Sequence, residues 1–287
     1  MRPIIIQAPA KINLFLHITG RNENNYSFLE SLVAFSEYGD EIQVTEAGKL
    51  TLEVSGKFSN ELKKIDSEDN LVWKAALELQ NFFGKKPGAN IKLVKNLPVA
   101  SGIGGGSSDA AATINALRKL WKIDINDEEL SKIAIKLGSD VPVCLYSNTS
   151  LMSGIGEKLK AAYLKTKPYI VLVNPNIHLP TADIFNEFWK NPLLVSNSCE
   201  LNEFSIEEIS DEKKYSNSLQ PFAVSKLPII GEIIEILKSD KNCSIVRMSG
   251  SGATCFGLYN DKILADNAQR KLQELYPGSW CISTRIK

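Results

Sequence analysis

Pro98-Val99-Ala100-Ser101-Gly102-Ile103-Gly104-Gly105-Gly106-Ser107-Ser108 is the stretch from which the fold of this chain is read. Ahead of it, a short strand expected at Ile91 to Val94 ends at Leu97-Pro98. Behind it, an alanine-rich helical pattern opens at Ser107-Ser108-Asp109 and continues to about Trp121. Strand, glycine loop and helix in that order set unpaired backbone N–H groups and the positive end of a helix dipole where an anion can sit. Glycine lets the backbone approach that anion closely, and a flexible connector would not need so many glycines directly before a capped helix. The stretch therefore reads as a phosphate cradle. It is neither of two common fingerprints: G-x-x-x-x-G-K-[ST] lacks its lysine, and G-x-G-x-x-G fails from both Gly102 and Gly104.

Outward from the cradle the pattern is α+β. Residues 1 to 54 alternate apolar, β-branched segments with polar turns and read as strands, with one helix expected near Phe28 to Tyr38. Asp69 precedes Leu71, Val72, Ala75, Leu79 and Phe82 at helical spacing, and Gly84 then Pro87-Gly88 stop that helix. Another helix is expected over Asp127 to Leu137, capped by Gly138, which leaves Asp140 on a loop or helix end. Tyr169 to Val173 opens a second half with helices near Ala182 to Trp189, Pro228 to Leu237 and Ala265 to Leu275. Strands there are expected at Val246 to Met248, Thr254 to Tyr259 and Cys281 to Ile286. Asn191 to Gln220 is polar and aperiodic, and is expected to be a surface excursion.

Composition narrows the function classes. The 33 basic and 33 acidic residues cancel, so no global field would gather nucleic acid or an anionic membrane, and any phosphate must be held by local groups. Cys144, Cys199, Cys243, Cys255 and Cys281 are scattered, without metal-ligand spacing, and are expected to be reduced thiols in the cytoplasm. The apolar run near the N-terminus is too short for a signal core, and nothing approaches the roughly 18 residues of a membrane span. A soluble, unprocessed protein is expected.

The Pro98 to Ser108 stretch resembles the second motif of the GHMP kinase superfamily, with Ile103 where leucine is usual. Ala8-Pro9-Ala10-Lys11-Ile12-Asn13-Leu14-Phe15-Leu16 is similar to the first motif, with Lys11 and Asn13 on one face of a strand. Arg247-Met248-Ser249-Gly250-Ser251-Gly252-Ala253-Thr254-Cys255-Phe256 resembles the third. Within the superfamily, Asp40 and Glu41 in YGDEI, EDNL at 68–71 and GSDVPVCL at 138–145 are most similar to the members that phosphorylate diphosphocytidyl methylerythritol in non-mevalonate isoprenoid synthesis.

That resemblance implies a two-domain α+β fold: residues 1–160 like the second domain of ribosomal protein S5, and 161–287 ferredoxin-like. It implies phosphorylation of the 2-hydroxyl of the small-molecule substrate by ATP and Mg²⁺, with no nucleic-acid or membrane partner, in a monomer or weak homodimer. Pro98 through Ser108 would bind ATP, Ser107 or Ser108 meeting phosphate or Mg²⁺ through a hydroxyl, or one of them capping the helix. Asp140 would orient the acceptor hydroxyl and take its proton, and Lys11 would hold Asp140 ionised. Taken alone, an aspartate there is also an ordinary turn residue, and a strand lysine an ordinary edge residue. Gly250 and Gly252 would form a second tight turn near phosphates. The cytosine would stack between Tyr26 and Phe185, with polar contacts from Asn13, Ser27 and Thr181. The family's Gly-Tyr-His is here Asn25-Tyr26-Ser27, so a histidine contact is lost or replaced. His17 and His178 read as structural. Two alternatives stay open: a GHMP kinase acting on homoserine, mevalonate, phosphomevalonate or a sugar, and a non-catalytic metabolite sensor.

Overall fold

A computed structural model describes residues 2–64, 66–192 and 201–287; Cys199 and the 193–200 part of the polar excursion lie outside the described residues. Two compact units interleave along the chain. Unit 1 takes the chain up to Ala10, Gly39–Val99 and Gly104–Ser147; unit 2 takes Lys11–Tyr38, Ala100–Ile103 and Asn148–Lys287.

Strands β1 (Ile4–Arg21) and β2 (Ser27–Ala47) pair with each other, and each runs through both units. The helix expected near Phe28 to Tyr38 is the first half of β2. Leu32, Val33, Ala34 and Phe35 are all buried, a continuous apolar run whose periodicity does not separate strand from helix. Antiparallel pairing of Leu29–Val33 with Gly154–Ser150 makes it a strand.

In unit 1, β3 (Leu50–Ser55) leads through the single-turn α1 (Ser59–Leu62) and α2 (Leu71–Phe83) to β4 (Gly88–Val94). The Asn70 side chain caps α2 by accepting the Val72 N–H at 2.9 Å, and Gly84 closes it in the left-handed conformation at φ 65°. β4 lies parallel to β3 and antiparallel to the second half of β2. α3 (Gly105–Leu120), α4 (Asp127–Leu137) and α5 (Val141–Tyr146) follow, with α2 and α5 both against α3. Ile91 and Leu93 of the sheet and Val72, Leu79, Ile114 and Leu117 of the helices form its core. The expected bounds of α4 and the stop at Gly84 are met.

In unit 2, β5 (Ser150–Gly154) and β6 (Lys158–Ala161) extend the first half of β2, and the two-residue β7 (Tyr163–Leu164) pairs with a later partner. The chain then runs β8 (Tyr169–Asn174), α6 (Thr181–Lys190), β9 (Glu203–Phe204, the partner of β7) and α7 (Ile206–Ser210). It continues through α8 (Gln220–Lys226), α9 (Ile229–Lys238), β10 (Cys243–Met248), β11 (Cys255–Tyr259), α10 (Lys262–Leu275) and β12 (Trp280–Arg285). β10-β11-β8-β12 is an antiparallel sheet whose order is that of the ferredoxin-like split βαβ, as expected. Val171, Ile184, Phe188, Ile233, Tyr259 and Leu272 lie in the core between this sheet and its helices.

The Asn191 to Gln220 segment is not a surface excursion where it is described. Phe204, Ile206, Ile209, Tyr215 and Leu219 are buried. Ser216–Ser218 runs beside β1, with the Leu16 N–H on the Ser216 carbonyl at 2.9 Å and the Ser218 N–H on the Leu16 carbonyl at 2.8 Å. These apolar residues are spaced too irregularly for any period, which is why the sequence pattern hides them. Among the described residues no helix is long and apolar enough to cross a membrane, and Cys144, Cys243, Cys255 and Cys281 are free thiols.

Candidate active site

Three stretches far apart in sequence meet inside unit 2. Lys11 and Asn13 project from one face of β1. The nearly buried Lys11 places Nζ 3.2 Å from Asn13 Oδ1, and Asn13 Nδ2 donates to Ser31 Oγ at 2.7 Å. The Lys11 backbone N–H donates to the Ile103 carbonyl at 2.9 Å, joining the first motif to the glycine stretch. From the third motif, Ser249 Oγ donates to the Gly102 carbonyl at 3.0 Å and accepts the Asn13 N–H at 3.1 Å, so one hydroxyl ties all three stretches. Thr254 Oγ1 donates to the Ser101 carbonyl at 2.6 Å and accepts from Asn174 Nδ2 at 2.9 Å.

The glycines make this approach feasible. Gly102 has φ 77°, and a Cβ there would lie 2.5 Å from the Ser249 carbonyl oxygen. Gly250 has φ 57°, and a Cβ there would lie 2.7 Å from the Gly102 carbonyl oxygen. The Gly252 N–H returns to the Ser249 carbonyl at 3.1 Å, closing the tight turn expected of Gly250 and Gly252.

The remaining cradle residues belong to unit 1. α3 opens at Gly105, two residues ahead of the expected start, with Gly104 in the left-handed conformation as its cap and no side-chain cap. The capping role offered to Ser107 or Ser108 is not taken, because Ser108 Oγ donates to the Pro9 carbonyl at 2.6 Å. Uncapped first-turn N–H groups suit an anionic ligand.

Below that turn lies an ion triad without a counterpart in the sequence reading. The fully buried Lys95 donates to Asp40 Oδ2 at 2.5 Å and to Asp109 Oδ2 at 2.6 Å. Asp40 Oδ1 accepts the N–H groups of Asn96 and Leu97, fixing the chain as it enters Pro98. A Cβ on Gly105 would sit 3.1 Å from Lys95 Nζ. Burial works against the Lys95 charge, yet the Asp109 and Asp40 carboxylates hold its ammonium above the usual value. Burial also pushes the Asp109 carboxyl up, to about 8; Lys95 opposes that rise and Asp40 adds to it. The available signal was the charged Lys95 directly after an apolar strand, but nothing local names its partners.

Asp140 stands at the N-cap position of α5, half-buried, with Pro142 in the first turn and no side-chain cap bond. It belongs to unit 1 and Lys11 to unit 2.

Of the residues expected to hold the base, Thr181 and Phe185 lie on α6 and Ser27 is bonded to it. Thr181 opens the helix with Oγ1 2.8 Å from Ser251 Oγ of the third-motif turn. Phe185, one turn on, packs partly buried on the core. Trp189, a further turn on, donates its indole N–H to Ser27 Oγ at 3.0 Å, and Arg21 lies 5.1 Å above its ring. Ser27, in the histidine position, is thus tied to the helix that carries Phe185. Trp189 was not among the expected residues. Tyr26 is 61% exposed and its N–H is held by Asn22 Oδ1. His17 is buried beside Phe15 and accepts the Ser216 N–H at 3.3 Å. Burial, then the Arg247 charge, lowers its pKa to about 4, so it is neutral at physiological pH. His178 is exposed.

Among the described residues, no group of three or more His, Cys, Asp and Glu side chains could hold a metal ion.

The family described as GHMP kinases N terminal domain matches residues 70–148, and GHMP kinases C terminal matches 200–278. A 4-diphosphocytidyl-2-C-methyl-D-erythritol kinase of Parvibaculum lavamentivorans is 43% identical over 97% of this chain and 96% of that protein. Its namesake from Agrobacterium fabrum is 42% identical over 97% and 94%. The chain belongs to this family of GHMP kinases. A crystal structure of 4-(cytidine 5'-diphospho)-2C-methyl-D-erythritol kinase superposes with a TM-score of 0.82 at 27% identity, over 99% of this chain and 100% of that one. A homoserine kinase from Cytophaga hutchinsonii, 17% identical with a TM-score of 0.73 over 100% and 95%, shares the fold.

Proposed function

We propose that this GHMP kinase transfers the γ-phosphoryl group of ATP to the 2-hydroxyl of 4-diphosphocytidyl-2-C-methyl-D-erythritol, a step in isoprenoid precursor synthesis. The observation that carries the proposal is the junction at Ser249 Oγ, which joins the Asn13 N–H of the first motif to the Gly102 carbonyl of the second. Phosphoryl transfer proceeds through a loose transition state, so positioning and charge stabilisation are what the protein must supply. A rigid backbone cradle made of three anchored segments suits that requirement.

In this reading the glycine stretch and the first turn of α3 receive the triphosphate. Asp140 orients the acceptor hydroxyl and takes its proton as the new O–P bond forms and the bond from the γ-phosphorus to ADP breaks, and Lys11 supplies positive charge to the developing negative charge. Mg²⁺ would arrive on the nucleotide, held mainly by phosphate oxygens with the Ser107 hydroxyl beside it, and would neutralise charge on the transferring group. Tyr26, Phe185, Asn13 and Thr181 would hold the cytidine. Ser27 accepts from Trp189 and retains its own hydroxyl proton to donate, a smaller substitute for the family's histidine.

The test is ADP release by purified protein with Mg-ATP and, separately, the diphosphocytidyl erythritol, mevalonate or homoserine. Turnover only with the first is expected, and its absence there would sink the proposal. Asp140→Asn should lower kcat by about 10²- to 10⁴-fold with nucleotide affinity nearly intact. An unchanged kcat would remove Asp140 from the chemistry.

A further inference from the structure

The proposed site uses the Ser249–Gly252 turn through its backbone and the Ser249 hydroxyl, and that turn is gripped from the segment that sequence patterning leaves as a polar excursion. Asn217 is 4% exposed, and its single amide nitrogen donates to the carbonyls of both Met248 and Gly250, each at 2.8 Å. Its Oδ1 is occupied in turn by the Leu219 N–H at 2.9 Å, so the amide cannot rotate without losing three bonds. Three residues on, Gln220 Oε1 accepts the Met248 N–H at 2.9 Å. Asn217 itself is fixed by the pairing of Ser216–Ser218 with Leu16 on β1, the strand that also carries Lys11 and Asn13.

We infer that Asn217 and Gln220 are positioning residues for phosphoryl transfer, forming a clamp that fixes the Ser249–Gly252 turn and, through Ser249, the Gly102 carbonyl and the Asn13 backbone. The two amides touch neither nucleotide nor acceptor in the proposed site; they set the register between the first-motif strand and the third-motif turn. Of the two carbonyls that Asn217 satisfies, Gly250 lies in the turn and Met248 ends β10 directly before it, beside glycines that would otherwise be free to reorient. Displacing reacting groups by about 1 Å from a remote position costs on the order of 10²-fold in rate. The inference rests on the function proposed above.

Three variants test it. Asn217→Asp keeps the size but sets a carboxylate against two carbonyl oxygens. Gln220→Met keeps the length and removes one acceptor. Ser218→Ala, on the same segment, removes only the hydroxyl that accepts the Ile18 N–H and touches no part of the turn. Asn217→Asp is expected to lower kcat by roughly 10²-fold, and Gln220→Met by about tenfold. Ser218→Ala should lower the thermal midpoint while leaving kcat within about twofold. Amide hydrogen exchange across residues 249–254 should quicken in the first two variants alone. The inference is overturned if folded Asn217→Asp keeps kcat within about twofold of the parent, or if all three variants lose rate in proportion to stability. If Asn217→Asp does not fold, Gln220→Met and its exchange pattern decide. An inactive parent enzyme would sink the proposed function, and the exchange comparison would still judge the clamp.

Discussion

The two regions that hold the glycine stretch are built on opposite electrostatic principles. On the unit 1 side, the strand end at Lys95–Leu97 and the first turn of α3 are tied by a buried lysine between two carboxylates. On the unit 2 side, Ala100–Ile103 is tied by neutral bonds from Ser249, Thr254 and the Lys11 backbone. A buried ion cluster is stable only when complete, because any member left alone keeps its desolvation penalty. Neutral hydrogen bonds contribute about 1 kcal/mol each and fail one at a time. The first region should therefore be brittle and responsive to pH, and the second graded and indifferent to it.

Lys95→Met is the most severe way to break this contrast. It leaves Asp40 and Asp109 buried together and should cost on the order of 3–5 kcal/mol in denaturant unfolding. A loss below about 1 kcal/mol would mean that the triad is no anchor. Thr254→Val, on the neutral side, removes the hydroxyl bond to the Ser101 carbonyl and deprives Asn174 Nδ2 of that acceptor. It should cost about 1–3 kcal/mol, and a loss as large as that of Lys95→Met would erase the distinction.

A pH series is the most diagnostic comparison. Because the folded-state pKa of Asp109 is raised from 3.8 to about 8, the folded protein binds that proton more tightly than the unfolded chain. Its contribution is fully present below the unfolded value and is lost as pH rises through about 8. The stability of the parent protein relative to Asp109→Asn should thus decline from about pH 4 and level off above about pH 8, measured by unfolding at each pH. The same comparison with Thr254→Val should stay flat. A flat Asp109→Asn difference would show that carboxyl ionised throughout.

Much of the framework was legible beforehand because it is written locally. α4 follows its apolar period to the residue, α2 ends at Gly84, and the strand and helix order of the second half leads to the ferredoxin-like sheet. The failures are equally instructive. The first half of β2 is a strand where the pattern suggests a helix, because a fully buried apolar run carries no period of its own. α3 starts ahead of its serines because Gly104 caps by conformation, which a preference for side-chain caps does not anticipate.

Most elements, the glycine stretch between a strand and a helix, and the three motifs that resemble the family's are legible in the chain alone, since each rests on residues adjacent in sequence. Tertiary structure alone decided which polar groups satisfy one another. Lys95 meets Asp40 across 55 residues, Asn13 meets Ser249 across 236, and Asn217 reaches the third-motif turn from a stretch with no pattern. Burial makes such partners obligatory, because an unpaired polar group in the interior costs more than a pair returns. Which groups become partners is set by chain topology, and so appears only in the folded molecule.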